Sequence, residues 1–281
     1  MSTPKKILLA YDFSQGSHVA TEEAFALAKL FGAQLIITHI VDTEITDVYK
    51  HILAHEMTAE IEKGIRQALG KISAKMPSHD VIVKHGRPHV VISQIVKETG
   101  ADLVLMGSHG HGAISHILLG STCESLIRQC PVPVLICRKK FTDSLKKILV
   151  PIDLLASWEP ALENAKTLAQ SFAAEIQLMH VVEIIPHASY GEFSEIITIQ
   201  LEKQNKVLRK ISEKNGLATE PVVLEGKIAH SIVHYCKENP DIGLVVMTSH
   251  GRRGLEHILL GSVAESLTRY IPTNIMVIPF R

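Results

Sequence analysis

The sequence predicts an α/β protein made of two tandem doubly wound, parallel five-stranded sheets flanked by helices, and three observations carry that expectation. The first is an internal repeat: KKILLAYD at Lys5–Asp12 returns as KKILVPID at Lys146–Asp153, an offset of 141 residues. At the same offset ITHIVD (Ile37–Asp42) returns as LMHVVE (Leu178–Glu183), and HILLGS recurs unchanged in both halves. A period of this size marks a duplicated domain, and 281 residues suit two units at roughly 100–200 residues per domain. The second observation is the alternation of short β-branched runs with longer amphipathic stretches, the signature of βαβ units. The third is that runs such as ILLAY and LVLMG lack strict alternation, as expected of strands covered by helices on both faces.

Taken in order, the first half offers a strand at Lys6–Tyr11 and then a helix over Ser17–Phe31. In that helix Val19, Ala20, Ala24, Leu27, Ala28 and Phe31 recur at three- and four-residue spacing and gather one apolar face, and Gly32 supplies a left-handed stop. Further strands are expected at Gln34–Val41 and Asp80–His85. Pro88 suits the first turn of a helix continuing through Val90–Glu98, because its missing N–H has no partner to lose there. Strands at Leu103–Gly107 and Val134–Arg138 enclose a helix beginning near Ser121, and the second half reads in the same order. The polar stretch KKFTDS at Lys139–Ser144 is the expected connector between domains at 1–140 and 145–281. The most divergent segments between the halves, Asp47–Lys75 and Tyr190–Asn215, are the expected places for ligand or partner specificity.

Composition narrows the function classes. Hydrophobic residues make up 46% and charged residues 21%, as in a globular chain rather than a disordered one. Lys plus Arg equals Asp plus Glu at 29 each, so no net field favours nucleic acid or an anionic membrane. The apolar run after Lys5-Lys6 ends at Asp12, too early for a secretory signal, and no apolar stretch approaches a membrane span. Cys123, Cys130, Cys137 and Cys236 form no CxxC pair, which points to free, buried thiols in a cytoplasmic protein.

The sharpest motif is Gly107-Ser108-His109-Gly110, nine residues, then Gly120-Ser121, between a strand and a helix. Glycines permit positive φ and let backbone N–H groups approach phosphate oxygens, and a helix N-terminus favours an anion. Ser121 and Thr122 add hydroxyls, and Asp12 at the tip of the first strand faces the same crevice, where the strand order of such a sheet reverses. The plainer alternative is that these glycines build tight turns and that Asp12 caps the next helix.

Both halves resemble the universal stress protein family, and the pair resembles its tandem form. The resemblance implies an adenine nucleotide α-hydrolase-like, Rossmann-like fold. ATP-binding members carry G-x2-G-x9-G-[ST], which Gly107, Gly110, Gly120 and Ser121 satisfy, next to Asp12 and the run His39-Ile40-Val41-Asp42. By that resemblance ATP, or ADP or AMP, is the expected ligand. Ala10, Tyr11, Asp12 and Ile40 line the adenine and ribose side, Met106 and Gly107 form the floor, and Ser108 is a further nucleotide-binding residue. Gly110, His111, Gly120, Ser121 and Thr122 surround the phosphates, with Mg2+ held mainly by phosphate oxygens. The second half offers Pro151, Ile152, Asp153, Val181, Met247, Gly251, Arg252, Gly261, Ser262 and Val263, but Thr248 stands where the first glycine is expected, so a Cβ there is expected to crowd a ligand. The resemblance also implies pairing of the halves through their last strands, or a homodimer, and protein partners in the stress response.

Other chemistry is weaker. The pairs His51/His55, His85/His89 and His230/His234 invite a metal, yet none is joined by nearby cysteine, and solvent-facing roles are the default. His39 and His180 fall at equivalent strand ends and are expected to orient a loop. No Gly-Lys-Ser/Thr loop, Gly-x-Ser-x-Gly elbow or paired-histidine zinc helix is present, so at most slow ATP hydrolysis, assisted by His109 or His111, is expected. The rival from another class is a tandem interaction protein that has lost its ligand.

Overall fold

The computed structural model describes residues 3–42, 54–72, 79–108, 119–142, 144–183, 193–249 and 261–279. The chain divides into two compact units, Ser2–Thr142 and Asp143–Phe280. The first unit runs β1 (Lys6–Ala10), α1 (Gln15–Phe31), β2 (Gln34–Val41), α2 (Ala54–Ile72), β3 (His79–His85), α3 (Pro88–Thr99), β4 (Leu103–Gly107), α4 (Ser121–Gln129) and β5 (Val134–Cys137). Its strands lie in the order β3-β2-β1-β4-β5, and every pair within the unit is parallel. The order therefore reverses between β1 and β4, where Asp12 and Gly107 stand at the strand ends. Strands β1 and β4 are buried along almost their whole length, as apolar runs between two helical layers must be.

The second unit repeats the plan with β6 (Lys147–Pro151), α5 (Glu159–Phe172), β7 (Glu175–Val182), α6 (Phe193–Lys214), β8 (Val222–Glu225), α7 (Ile228–Glu238), β9 (Ile242–Thr248), α8 (Ser262–Tyr270) and β10 (Asn274–Ile278). Its strand order is β8-β7-β6-β9-β10, again parallel throughout.

Helix α1 begins two residues before the expected Ser17, because Ser14 caps it: the Ser14 side chain accepts a hydrogen bond from the Ser17 N–H at 3.1 Å. Its buried face is wider than the apolar stripe and includes Ser17, Thr21 and Glu23. The Glu23 carboxylate, 2% exposed, accepts from the Thr142 N–H at 3.0 Å. Lys140 pairs with Glu22, and Phe141 is buried. The polar stretch after β5 is thus anchored on α1 rather than free of the first unit, a role that its composition conceals.

The two units end their first helix differently. Gly32 closes α1 at φ 63°, its N–H returning to the Ala28 carbonyl. At the equivalent end of α5 an alanine, Ala173, takes φ 51° with the same bond to Ala169. An L side chain in this region is strained by about 1–2 kcal/mol, whereas glycine is not.

The units also start that helix differently. A Cβ on Gly107 would lie 2.4 Å from the Gly16 carbonyl carbon and 2.8 Å from the Ser17 nitrogen. The end of β4 and the first turn of α1 therefore meet backbone to backbone. In the second unit Thr248 replaces Gly107, and the residues aligned with Gly16 and Ser17 are Ser157 and Trp158. There the helix starts only at Glu159, roughly one turn later, and Asp153–Ala156 form a turn instead, the Ala156 N–H donating to the Asp153 carbonyl at 3.0 Å. The threonine thus coincides with the later start of the helix.

Two stability outcomes follow. Gly107→Ala in the full chain lowers the stability of the first unit by about 3 kcal/mol, an overpacking cost, read as an earlier transition in urea unfolding; an unchanged midpoint contradicts the close approach. Ala173→Gly raises the stability of the second unit by about 1 kcal/mol, and a loss of stability in the same measurement contradicts the strain.

Candidate functional site

At the C-terminal ends of β1 and β4 the first unit gathers most of the residues that the motif points to. The Asp12 Oδ1 accepts the Ser14 N–H at 3.0 Å, folding the chain into the short turn that precedes α1. Asp12 thus shapes the turn, and the cap itself is Ser14. In the second unit Asp153 makes the matching bond to the Leu155 N–H at 3.0 Å. Between Asp12 and the cap, Phe13 holds φ 63°, a left-handed backbone that a bulky residue rarely adopts. Its ring meets Tyr11 edge-on at 4.9 Å and His39 at 5.3 Å, and Tyr11 meets His18 at 5.7 Å.

This aromatic group was not legible from the motif. The residues at the same places in the second unit are Ile152, Leu154, Glu159 and His180, so only the histidine at the end of the second strand is shared. That histidine acts alike in both units. His39 Nδ1 donates to the Tyr11 carbonyl at 2.8 Å, and His180 Nδ1 donates to the Ile152 carbonyl at 2.9 Å. A carbonyl only accepts, so Nδ1 carries the proton in each ring. With Tyr11 N–H donating to the Thr38 carbonyl and Ile152 N–H to the Met179 carbonyl, both at 2.8 Å, the central strand is held to its neighbour just past its end. Burial and the Asp12 charge raise the Tyr11 phenol above its ordinary value, so it stays neutral.

The described ends of the glycine motif are bonded to each other. Ser108 N–H donates to the Cys137 carbonyl at 3.3 Å, and Gly120 N–H donates to the Ser108 carbonyl at 3.2 Å. Gly120 then caps α4 in an extended conformation, φ −67° and ψ 145°, and as a glycine makes no side-chain cap bond itself. Ser121 is exposed and Thr122 half-buried. The second unit repeats these bonds: Ser249 N–H to Ile278 carbonyl at 2.8 Å, Gly261 N–H to Ser249 carbonyl at 3.0 Å, and Gly261 capping α8 at φ −61°.

Two expectations change here. Neither Gly107 nor Gly120 is among the glycines with positive φ, so turn freedom is not what these positions use. A side chain at Gly107 would run into the start of α1 rather than only toward a ligand, and in the unit with Thr248 α5 begins about one turn later. Gly110, His111, His109, Gly251, Arg252 and Arg253 lie outside the described residues. The described candidates Ala10, Tyr11, Asp12, Ile40, Met106, Gly107, Ser108, Gly120, Ser121 and Thr122 lie at or just past the ends of β1, β2 and β4 or at the start of α4. Pro151, Ile152, Asp153, Val181, Met247, Gly261, Ser262 and Val263 occupy the corresponding places in the second unit.

His85 Nε2 lies 3.2 Å from the Thr58 hydroxyl, while His230 and His234 have ring centroids 6.2 Å apart and His234 faces Glu238 at 3.2 Å. His51 and the side chain of His55 lie outside the described residues. Among the described residues no group of three or more His, Cys, Asp or Glu side chains could hold a metal ion, and no helix is long and apolar enough to cross a membrane.

Comparison with known proteins agrees with this architecture. The sequence profile of the universal stress protein family matches the chain twice, over residues 3–138 and 144–279. Universal stress protein E of Escherichia coli is 26% identical over 227 residues, which cover 75% of this chain and 71% of that protein. A universal stress protein of Methanocaldococcus jannaschii is 28% identical over 158 residues, 48% of this chain and 96% of its own length. The crystal structure of a universal stress protein from Archaeoglobus fulgidus shares the fold, with a TM-score of 0.73 at 23% identity over 99% of each chain.

All four cysteines are buried and none is in a disulfide. Burial pushes the Cys123 thiol up to about 12 and the Cys130 thiol up to about 11, and holds Cys137 well above its ordinary value. Thiolate chemistry is therefore suppressed at neutral pH. At pH 8 the native protein leaves these thiols unreacted toward a thiol-specific disulfide reagent over minutes, and all four react after unfolding; rapid native labelling contradicts the burial.

Proposed function

The chain belongs to the universal stress protein family, and from that premise we propose that its first unit binds ATP or another adenine nucleotide and acts as a nucleotide-responsive module. The observation that supports this most directly is the bond from the Gly120 N–H to the Ser108 carbonyl, which holds the two described ends of the Gly107-x2-Gly110-x9-Gly120-Ser121 motif together at a glycine-capped start of α4. In this reading the first-turn amides and the hydroxyls of Ser121 and Thr122 meet phosphate oxygens, with Gly110 and His111 completing the cradle. Ala10, Tyr11, Asp12, Ile40, Met106 and Gly107 take the adenine and ribose. The fit is favourable because a glycine-capped helix start and a short carboxylate turn follow the two strands between which the strand order reverses.

A divalent ion such as Mg2+ would be held mainly by phosphate oxygens, with Asp12 positioned for a metal-bound water. The chain carries none of the standard phosphoryl-transfer signatures, so we assign it at most slow hydrolysis. The buried thiols, none in a disulfide, support a reducing, cytoplasmic setting. Response to stress through protein partners follows from family membership.

For the second unit a different reading is favoured by the late start of α5 and by Thr248. It keeps the bond between Ser249 and Gly261 but lacks the helical turn beside it, and we assign it weaker nucleotide binding or a scaffold role.

Calorimetric titration with ATP tests both assignments. The wild-type chain binds one equivalent tightly, Gly110→Val abolishes that binding, and Gly261→Val leaves it within about threefold. Absence of binding to the wild type contradicts the nucleotide reading, and loss only with Gly261→Val reverses the roles of the units.

A further inference from the structure

Beneath the strand ends of the first unit lies a hydroxyl with nothing to bond. Thr38 on β2 is 1% exposed, and its Oγ1 is buried without a hydrogen-bond partner among the described residues. A buried polar atom left this way is a burden that a valine of the same shape would avoid, so its retention calls for a partner that arrives from outside the chain.

The sheet register says where such a partner would sit. Thr38 pairs with Ala10, and Ala10 pairs with Met106. Residues level with one another across a parallel sheet project from the same face, and neighbours along a strand project from opposite faces. Thr38, Ala10 and Met106 therefore share one face with Ile40, two residues further along β2. Tyr11 and His39 occupy the other face, with Phe13 and His18 packed against them. Thr38 and Met106 are buried, yet Ala10 between them is only half-buried. Ala10, the smallest side chain of the row, is where the row is reached from outside, and the Thr38 hydroxyl lies one strand away from it, turned toward an arriving group by rotation about its own side-chain bond. In the second unit the aligned row is Met179, Pro151 and Met247, and it carries no hydroxyl.

We infer that Thr38 is a specificity-determining residue of the first unit, whose hydroxyl hydrogen-bonds the polar edge of a purine base seated over Ala10. This inference rests on the adenine-nucleotide reading of that unit. A rotatable hydroxyl can donate to a ring nitrogen or accept from an exocyclic amine, so one small group suits a base edge that alternates the two. The same bond is impossible at Met179, which adds a second, independent reason for the two units to differ in affinity.

The test is ATP titration of the full chain as wild type, Thr38→Val and Thr38→Ser, paired with thermal unfolding of each without nucleotide. The valine variant loses about tenfold in affinity, the cost of one unmatched hydrogen bond. The serine variant stays within about threefold of wild type, and unfolding of the ligand-free valine variant occurs at the same temperature or higher. Wild-type affinity in the valine variant overturns the inference while leaving the nucleotide reading intact. A parallel loss of affinity and ligand-free stability in both variants overturns it in favour of a packing role. A wild-type chain that binds no ATP overturns the nucleotide reading, and this inference with it.

Discussion

Where β4 ends, the backbone of Gly107 rests against the backbone of Gly16, with no room for even one carbon between them. Because those atoms touch, α1 can run back to Gln15, Ser14 can cap it, and Asp12 can turn the chain between the strand and the cap. The same contact sets the distance between the end of β1 and the glycine loop that leaves β4. Everything proposed to happen in the first unit takes place across that distance. Parallel strands buried on both faces supply the rigid edge, and the histidine bonds at His39 and His180 fasten the central strand of each unit to its neighbour.

The duplicated plan makes the second unit a natural comparison. It keeps the five-strand order, the histidine bond and the bond between the described ends of the glycine motif. It has lost the glycine pair, the first helical turn, the aromatic group around Asp12 and the Thr38 hydroxyl, and it holds an alanine where the first unit has a left-handed glycine. Most of these changes lie around the ends of the central strands and the start of the helix that follows; the left-handed residue lies at the far end of that helix, and Thr38 is buried in the sheet. Such a distribution fits duplication followed by divergence of a site on a retained scaffold, with fold preserved and site chemistry altered.

Much of this was legible in the sequence because it depends on local rules. Strand runs, the Gly32 stop, the Pro88 helix start and the position of the β4–α4 motif follow from period, caps and turn chemistry. What escaped was set by contacts between distant residues. Gly107 reads as a phosphate-loop glycine, yet its missing side chain answers to Gly16, ninety-one positions earlier. The clue was present: Gly16 and Gly107 are both replaced in the second half, by Ser157 and Thr248. Glu23 looks like an exposed helix residue but is buried against the Thr142 amide, and Phe13 gives no sign of its left-handed backbone. The unpartnered state of Thr38 depends on every atom around it, which no pattern of residue types encodes.

The central claim is that the crevice at the ends of β1 and β4 holds an adenine nucleotide. Its most direct measurement is the nucleotide released when freshly purified protein is denatured and the supernatant is resolved by chromatography against ATP, ADP and AMP standards, with the nucleotide-depleted protein then reloaded. The account predicts an adenine nucleotide at close to one equivalent per chain after loading with ATP and rapid removal of free ligand. A supernatant free of adenine nucleotide under both conditions would contradict it.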